Sequence, residues 1–175
     1  MAAVVCLCGV LLAAEPSGLW LDVPFVRQTR EGCGAASIAM VMQYWLAQEG
    51  RKPEDAPDAE TILRRLHSAQ AHGIFASEMK KYLEQQGYRA FAFSGTWKDL
   101  EEHLRKGRPL IVALKPTANE KLLHYVVVAG LDNGYVMFND PADRKLAKLD
   151  RRSFEKQWSA TDKWTLLAVP ESGGR

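Results

Sequence analysis

The sequence predicts an α+β domain, on three observations. Cys33 to about Ala47 is apolar on every side except Ser37, Gln43 and Tyr44, the pattern of a helix packed on all sides by other elements. Two further stretches before residue 90 carry apolar residues at helical spacing. From Pro109 onward the chain turns to short apolar, β-branched runs separated by turn residues. A mainly helical first half followed by a mainly β second half is an α+β arrangement.

Taken in order, Leu21 to Val26 reads as an extended approach, with Pro24 confining it to an edge or bend. The central helix from Cys33 follows, and Arg51 to Pro57 is a charged, proline-containing loop. Ala59 to Ala71 presents Ile62, Leu63 and Leu66 on one face, and Ser77 to Gln86 presents Met79, Tyr82 and Leu83, giving two amphipathic helices. Arg89 to Ser94 sets Ala90 and Ala92 against Phe91 and Phe93, as a short strand does. Thr96-Trp97-Lys98-Asp99 is a capping-type start to a helix that Gly107 ends. Pro109 to Lys115, Leu122 to Leu131, Tyr135 to Asn139 and Lys163 to Val169 are then expected as strands. Asp132-Asn133-Gly134 is the hairpin turn between the second and third of them.

Ala2 to Ala14 is almost wholly apolar, too short to span a bilayer, and ends at the polar break Glu15-Pro16-Ser17-Gly18. It reads as an export signal, so the expected organisation is residues 1–18 as signal or N-terminal apolar segment, 19–170 as one domain, and 171–175 as a flexible tail. Uncleaved, the same segment would anchor the domain to a membrane; the expected location is periplasmic or extracellular. The remaining chain suffices for a single domain with a sizeable core. Of three cysteines, Cys6 and Cys8 fall in the leader, leaving Cys33 with no internal disulfide partner.

Charge excludes some classes of function. Twenty-three basic and 21 acidic residues give a net charge of +2, too balanced for a nucleic-acid binder, and the cluster Arg144, Lys145, Lys148, Arg151 and Arg152 reads as a solvated face. No Gly-x4-Gly-Lys phosphate loop is present, so no ATP-binding domain is expected in this chain. His67, His72 and His103 lack companions at ligand spacing, and no metal or organic cofactor is expected.

Cys33 stands where the unpaired N–H groups and dipole of a helix N-terminus favour an anion, and the thiolate is the nucleophilic form. A cysteine nucleophile needs a base, and the base needs a third group to fix its tautomer. His124 opens the run His124-Tyr125-Val126-Val127-Val128, and Asp140 follows sixteen residues later in Asn139-Asp140-Pro141, a separation suited to neighbouring antiparallel strands. Asn139 competes with Asp140 for the third place, since amides also serve there, and adjacent strand residues face opposite sides, so only one can meet His124. Gln28, five positions before the cysteine, can aim amide N–H donors at an oxygen that becomes negative during attack.

Gln28-x4-Cys33-Gly34-Ala35-Ala36, His124-Tyr125-Val126-Val127-Val128 and Asn139-Asp140-Pro141 together resemble the bacterial cysteine peptidases that remove double-glycine leaders from bacteriocin precursors, across roughly residues 21–170. The resemblance implies a papain-like fold, with the active-site helix on an antiparallel sheet. It implies Gln28 as oxyanion-hole glutamine, Cys33 as nucleophile, His124 as base and Asp140 as orienting carboxylate. A peptide or protein is the implied substrate, a double-glycine leader among the candidates. Gly32 stands where transporter-linked members usually carry an acidic residue, and Leu123 where many have glycine. Two other readings share these residues: an amidase or transglutaminase-like acyl transferase, and a non-catalytic peptide-binding module of the same fold. The five scattered tryptophans read first as core residues, with Trp20 and Trp158 the two that could instead border the cleft.

Overall fold

The computed structural model describes residues 18–116 and 123–171. Residues 1–17 of the proposed signal segment, with Cys6 and Cys8, and the last four residues lie outside the described residues, while Gly18, expected in that segment, opens the first strand. The elements run β1 (Gly18–Trp20), α1 (Cys33–Gln48), a 3-10 turn (Pro53–Asp55), α2 (Ala59–Leu66), α3 (Ala76–Gln85), β2 (Tyr88–Ser94), α4 (Trp97–Arg105), β3 (Leu110–Leu114), β4 (His124–Asp132), β5 (Tyr135–Asn139), β6 (Ala147–Asp150), α5 (Arg151–Ser159) and β7 (Trp164–Pro170). The fold is the expected α+β arrangement of helices on an antiparallel sheet.

That sheet has the order β2-β7-β3-β4-β5-β6, every neighbouring pair antiparallel, and β1 extends it by pairing with the far half of β4. Strand β4 is buried from Tyr125 to Leu131 because both faces of the sheet are covered. Tyr125, Val127 and Ala129 point into a core shared with α1, α2 and α3. Val126 and Val128 point into a second core built from α4 and α5, where Leu100, Leu104, Phe154 and Trp158 are at most 2 % exposed. The alternation of a strand thus reads here as one continuous apolar run, as it must when neither face meets water.

Local chemistry sets the element ends. Thr96 and Asp99 form a reciprocal capping box, Asp99 N–H donating to Thr96 Oγ1 at 3.2 Å and Thr96 N–H to Asp99 Oδ2 at 2.8 Å. Asn133 and Gly134 both take positive φ, 45° and 80°, the two-residue turn that matches strand twist. At Gly95 the close approach of Trp158 and Thr165 leaves no room for a Cβ, which would lie 2.6 Å from each.

Three expectations need correction. The helix expected to reach Ala71 stops at Leu66, because His67 turns out toward Glu31 and the following segment closes on itself through a Ser68–Gly73 bridge. Residues 147–159, where no element was expected, form β6 and α5, while Arg144, Lys145, Lys148, Arg151 and Arg152 stay exposed as read: Asp150 caps the helix by accepting from Ser153 N–H at 3.0 Å, and Phe154 and Trp158, four apart, anchor it in the second core. Trp158 is therefore fully buried and borders no cleft, while Trp20 is half exposed on β1, opposite Gly130. The β2 strand, inside the nominally helical half, joins the sheet edge against β7.

Candidate active site

The site forms where the start of α1 meets the start of β4. Helix α1 begins at Cys33 with Gly32 as its N-cap; it has no side-chain cap and no acidic residue in its first turn, so its first N–H groups remain available to an anion beside the sulfur. Gly34 lets this end of the helix close on the sheet and on α3: a Cβ there would meet Met79 at 3.3 Å and Tyr125 at 3.4 Å. One turn along, Ser37 is fully buried, and its hydroxyl donates to Tyr125 O at 3.3 Å, pinning α1 to β4 next to His124.

His124 Nε2 and Asp140 Oδ1 are 2.7 Å apart, with both side chains one-fifth exposed. Cys33 lies beside the same ring, close enough for its charge to act on the imidazole. With Nε2 committed to the carboxylate, Nδ1 is the ring nitrogen left to face the thiol. Burial alone would lower the pKa of this imidazole, but the hydrogen bonds and negative charges of Asp140 and Cys33 outweigh it, and the pKa rises to about 9. Burial also works against an ionised Asp140, yet its bond to His124, that ring's charge, and the Ala142 and Asp143 N–H groups hold the carboxyl below its ordinary 3.8. At neutral pH the pair is therefore imidazolium and carboxylate.

Asn139, the competitor for this place, faces the other way. It is fully buried, and its amide bonds to Val23 O, Pro24 O and the Leu146 N–H. Gln28 is placed beside the Asp140 loop by its backbone N–H, which donates to Pro141 O at 2.9 Å; its side-chain Oε1 is buried and has no hydrogen-bond partner among the described residues.

A cavity of about 330 Å³ opens on Cys33, walled by the 70–76 segment, Leu123 and Tyr125. Phe75 and Leu123 are 42 % and 41 % exposed there, leaving apolar surface in reach of an incoming chain. Burial keeps the Tyr125 hydroxyl neutral by raising its pKa, and the charge of Cys33 adds to the effect. A second cavity, of about 500 Å³, reaches His124 and Asp140 from the side of Arg144 and Lys148.

Sequence reasoning assigned no role to Glu31, which supports the wall of the first cavity. Its carboxylate binds His67 Nε2 at 2.9 Å and His72 Nδ1 at 3.5 Å, and its φ is positive at 58°. These bonds, His67 first, hold the Glu31 carboxyl below its usual range. The three residues span more than forty positions and share no spacing pattern, so only the folded chain reveals them.

Residues 20–165 match the model of the Peptidase_C39 like family. The lactococcin-G-processing and transport ATP-binding protein LagD of Lactococcus lactis subsp. lactis is 29 % identical over 138 residues, which is 76 % of this chain and 17 % of that protein. The chain thus spans about a sixth of this curated relative. Among solved structures, one described as a C39-like peptidase from Bacillus anthracis superposes with a TM-score of 0.70 at 17 % identity, covering 89 % of this chain and 99 % of that one. A double glycine motif protease from an AMS/PCAT transporter, in complex with its leader peptide, gives 0.65 at 23 % identity, covering 87 % and 94 %. At such identities these two structures speak to the fold.

Proposed function

The chain belongs to the Peptidase_C39 like family, and from that premise we propose that it hydrolyses peptide bonds through Cys33, His124 and Asp140, with Gln28 in the oxyanion hole. The observation that carries this reading is the placement of His124, bonded to Asp140 at 2.7 Å and close enough to Cys33, at the start of α1, for the sulfur's charge to act on the ring. A buried imidazole held charged beside a thiol at a helix N-terminus favours the ion pair of thiolate and imidazolium.

The Cys33 thiolate attacks the scissile carbonyl carbon, and the carbonyl electron pair moves onto oxygen. That oxyanion is received by the Cys33 backbone N–H and the Gln28 amide. As the intermediate collapses, His124 gives its proton to the departing amine and the C–N bond breaks, leaving a thioester. Neutral His124 then takes a proton from water, whose oxygen attacks the thioester; the acid product leaves and the thiolate–imidazolium pair is restored. Asp140 holds the ring by Nε2 throughout, which keeps Nδ1 toward the sulfur.

The substrate class that fits best is a peptide with an extended segment laid past Cys33 along the apolar wall of Phe75 and Leu123. A double-glycine leader is the specific proposal, supported by the leader-processing relatives above. Export of the domain, with Ala2 to Ala14 as its signal, is also a proposal and rests on that apolar run. Incubating the purified chain with a peptide library and sequencing the cut ends tests the function. Cleavage lost in Cys33→Ala and clustered after small residues supports it; uncut peptides, or amide and acyl-transfer products, overturn it.

A further inference from the structure

The catalytic groups sit on two stretches far apart in sequence. Gln28 belongs to the irregular approach before α1, and Asp140 opens the loop 140–146 after β5. The approach segment contains Pro24, which offers no N–H, and it forms no strand between Leu21 and Gly32. Its position is set instead by a seam to the Asp140 loop. Gln28 N–H donates to Pro141 O at 2.9 Å, Arg27 Nη2 to Asp143 O at 3.0 Å and Nη1 to Ala142 O at 3.5 Å, and Lys145 pairs with Asp22 at 2.7 Å.

Asn139 is the buried end of that seam. Because neighbouring strand residues face opposite sides, turning Asp140 toward His124 turns Asn139 inward. Its Nδ2 donates to Val23 O at 3.1 Å and Pro24 O at 3.2 Å, while its Oδ1 accepts from Leu146 N–H at 3.0 Å. Leu146 carries a positive φ of 55°, a conformation that a branched side chain rarely holds without such support. A residue serving only its own turn would need the Leu146 bond alone. The two bonds to Val23 and Pro24 reach a segment 116 and 115 residues away.

We propose that Asn139 is a positioning residue which sets the Gln28 segment and the Asp140 loop in register, so that the oxyanion donor and the imidazole that Asp140 orients act on the same bound carbonyl. This rests on the peptidase reading above. Both N–H bonds and the acceptor of one fully buried amide are used, and no other side chain of the described residues bonds both segments.

The test compares Asn139→Ala with the wild type in three measurements. The kcat is expected to fall about 10- to 100-fold with KM within about threefold, part of the 10²- to 10³-fold that a whole oxyanion donor is worth. The His124 titration followed by NMR is expected to move down by about one pH unit as Asp140 loosens. Hydrogen exchange at the Gln28 N–H is expected to speed up at least about tenfold. Adding Gln28→Ala should then cost less than it does in the wild type, since both changes strike the same group. Arg27→Ala, an exposed change at the same seam with little risk to folding, should shift kcat and Gln28 exchange in the same direction by about two- to fivefold. Folded variants with wild-type kcat, His124 titration and Gln28 exchange would overturn the positioning role. A wild type that cuts no peptide would instead remove the peptidase reading, and the exchange and titration data would still decide whether Asn139 couples the two segments.

Discussion

Replacing Asp140 with asparagine isolates the charge on the His124 side of the site. The asparagine Oδ1 can still accept from Ala142 N–H, now 2.9 Å from Asp140 Oδ1, so the loop keeps its shape while the carboxylate is lost. In the wild type the His124 pKa is pushed up to about 9 from an ordinary 6.5. That preference for the charged ring amounts to about 3 kcal/mol at roughly 1.4 kcal/mol per tenfold. Burial opposes it, and Asp140 contributes more than Cys33 to outweighing that burial. Without the carboxylate, the midpoint should return to about 6.5 or lower, so at pH 7.5 the imidazolium falls from nearly all molecules to about one in ten. The kcat/KM should drop about 10²- to 10⁴-fold, the range that a positioned acid–base group supplies. The alkaline limb of the rate profile should move from near pH 9 toward neutrality. The stability sign follows from the raised value: the His124 contribution is fully present below pH 6.5 and is lost as pH rises through about 9. The gap in melting temperature between wild type and variant should therefore close above that pH. The assay is an NMR titration of the four histidines alongside kcat/KM against pH. A folded Asp140→Asn protein whose His124 midpoint stays within about half a pH unit of the wild type would refute the reasoning.

Cys33→Ala should reduce turnover on the order of 10⁴-fold or more with an unchanged melting curve, because members of a triad act as a unit; hydrolysis retained by that variant would exclude a Cys33 nucleophile. Glu31→Gln should raise KM more than it lowers kcat, since it loosens His67 and His72 behind the wall of the Cys33 cavity; steady-state kinetics check this, and a change confined to kcat would contradict it. Gly95→Ala places a methyl 2.6 Å from Trp158 and Thr165 and should destabilise by about 1–3 kcal/mol in urea unfolding. Phe154→Ala, which empties a fully buried site between Phe138 and Trp158, should cost about 3–5 kcal/mol by the same measurement.

Much of this fold could be read from the chain because local signals agreed with tertiary ones. The apolar run from Cys33, the Thr96–Asp99 box and the Asn133-Gly134 turn each carry their own instructions, and each element formed within a residue or two of its expected ends. Asp140, rather than Asn139, lies against His124, as strand alternation allows but does not decide. What escaped was governed by partners distant in sequence. The stop of α2 at Leu66 goes with a hydrogen bond between His67 and Glu31, and α5 was hidden because only Phe154 and Trp158 show its buried face amid charged residues. The second helical layer, and with it burial of both faces of β4, follows from that same omission. Asn139 could be read only as a turn former, since its principal partners are backbone carbonyls more than a hundred residues earlier.

The antiparallel pairing of β1 and the course of β7 have a consequence for anything joined to this domain. Gly18 lies opposite Asp132, at the end of β4 remote from His124, and Pro170 ends a strand running the same way as β4. At about 3.4 Å per residue, the eight steps from His124 to Asp132 put the two rims about 27 Å apart. A tether or fused module on either side therefore departs from the rim opposite the sulfur and leaves the cleft unobstructed. Any sequence that follows Glu171 needs roughly eight fully stretched residues to reach back along the sheet to the level of His124.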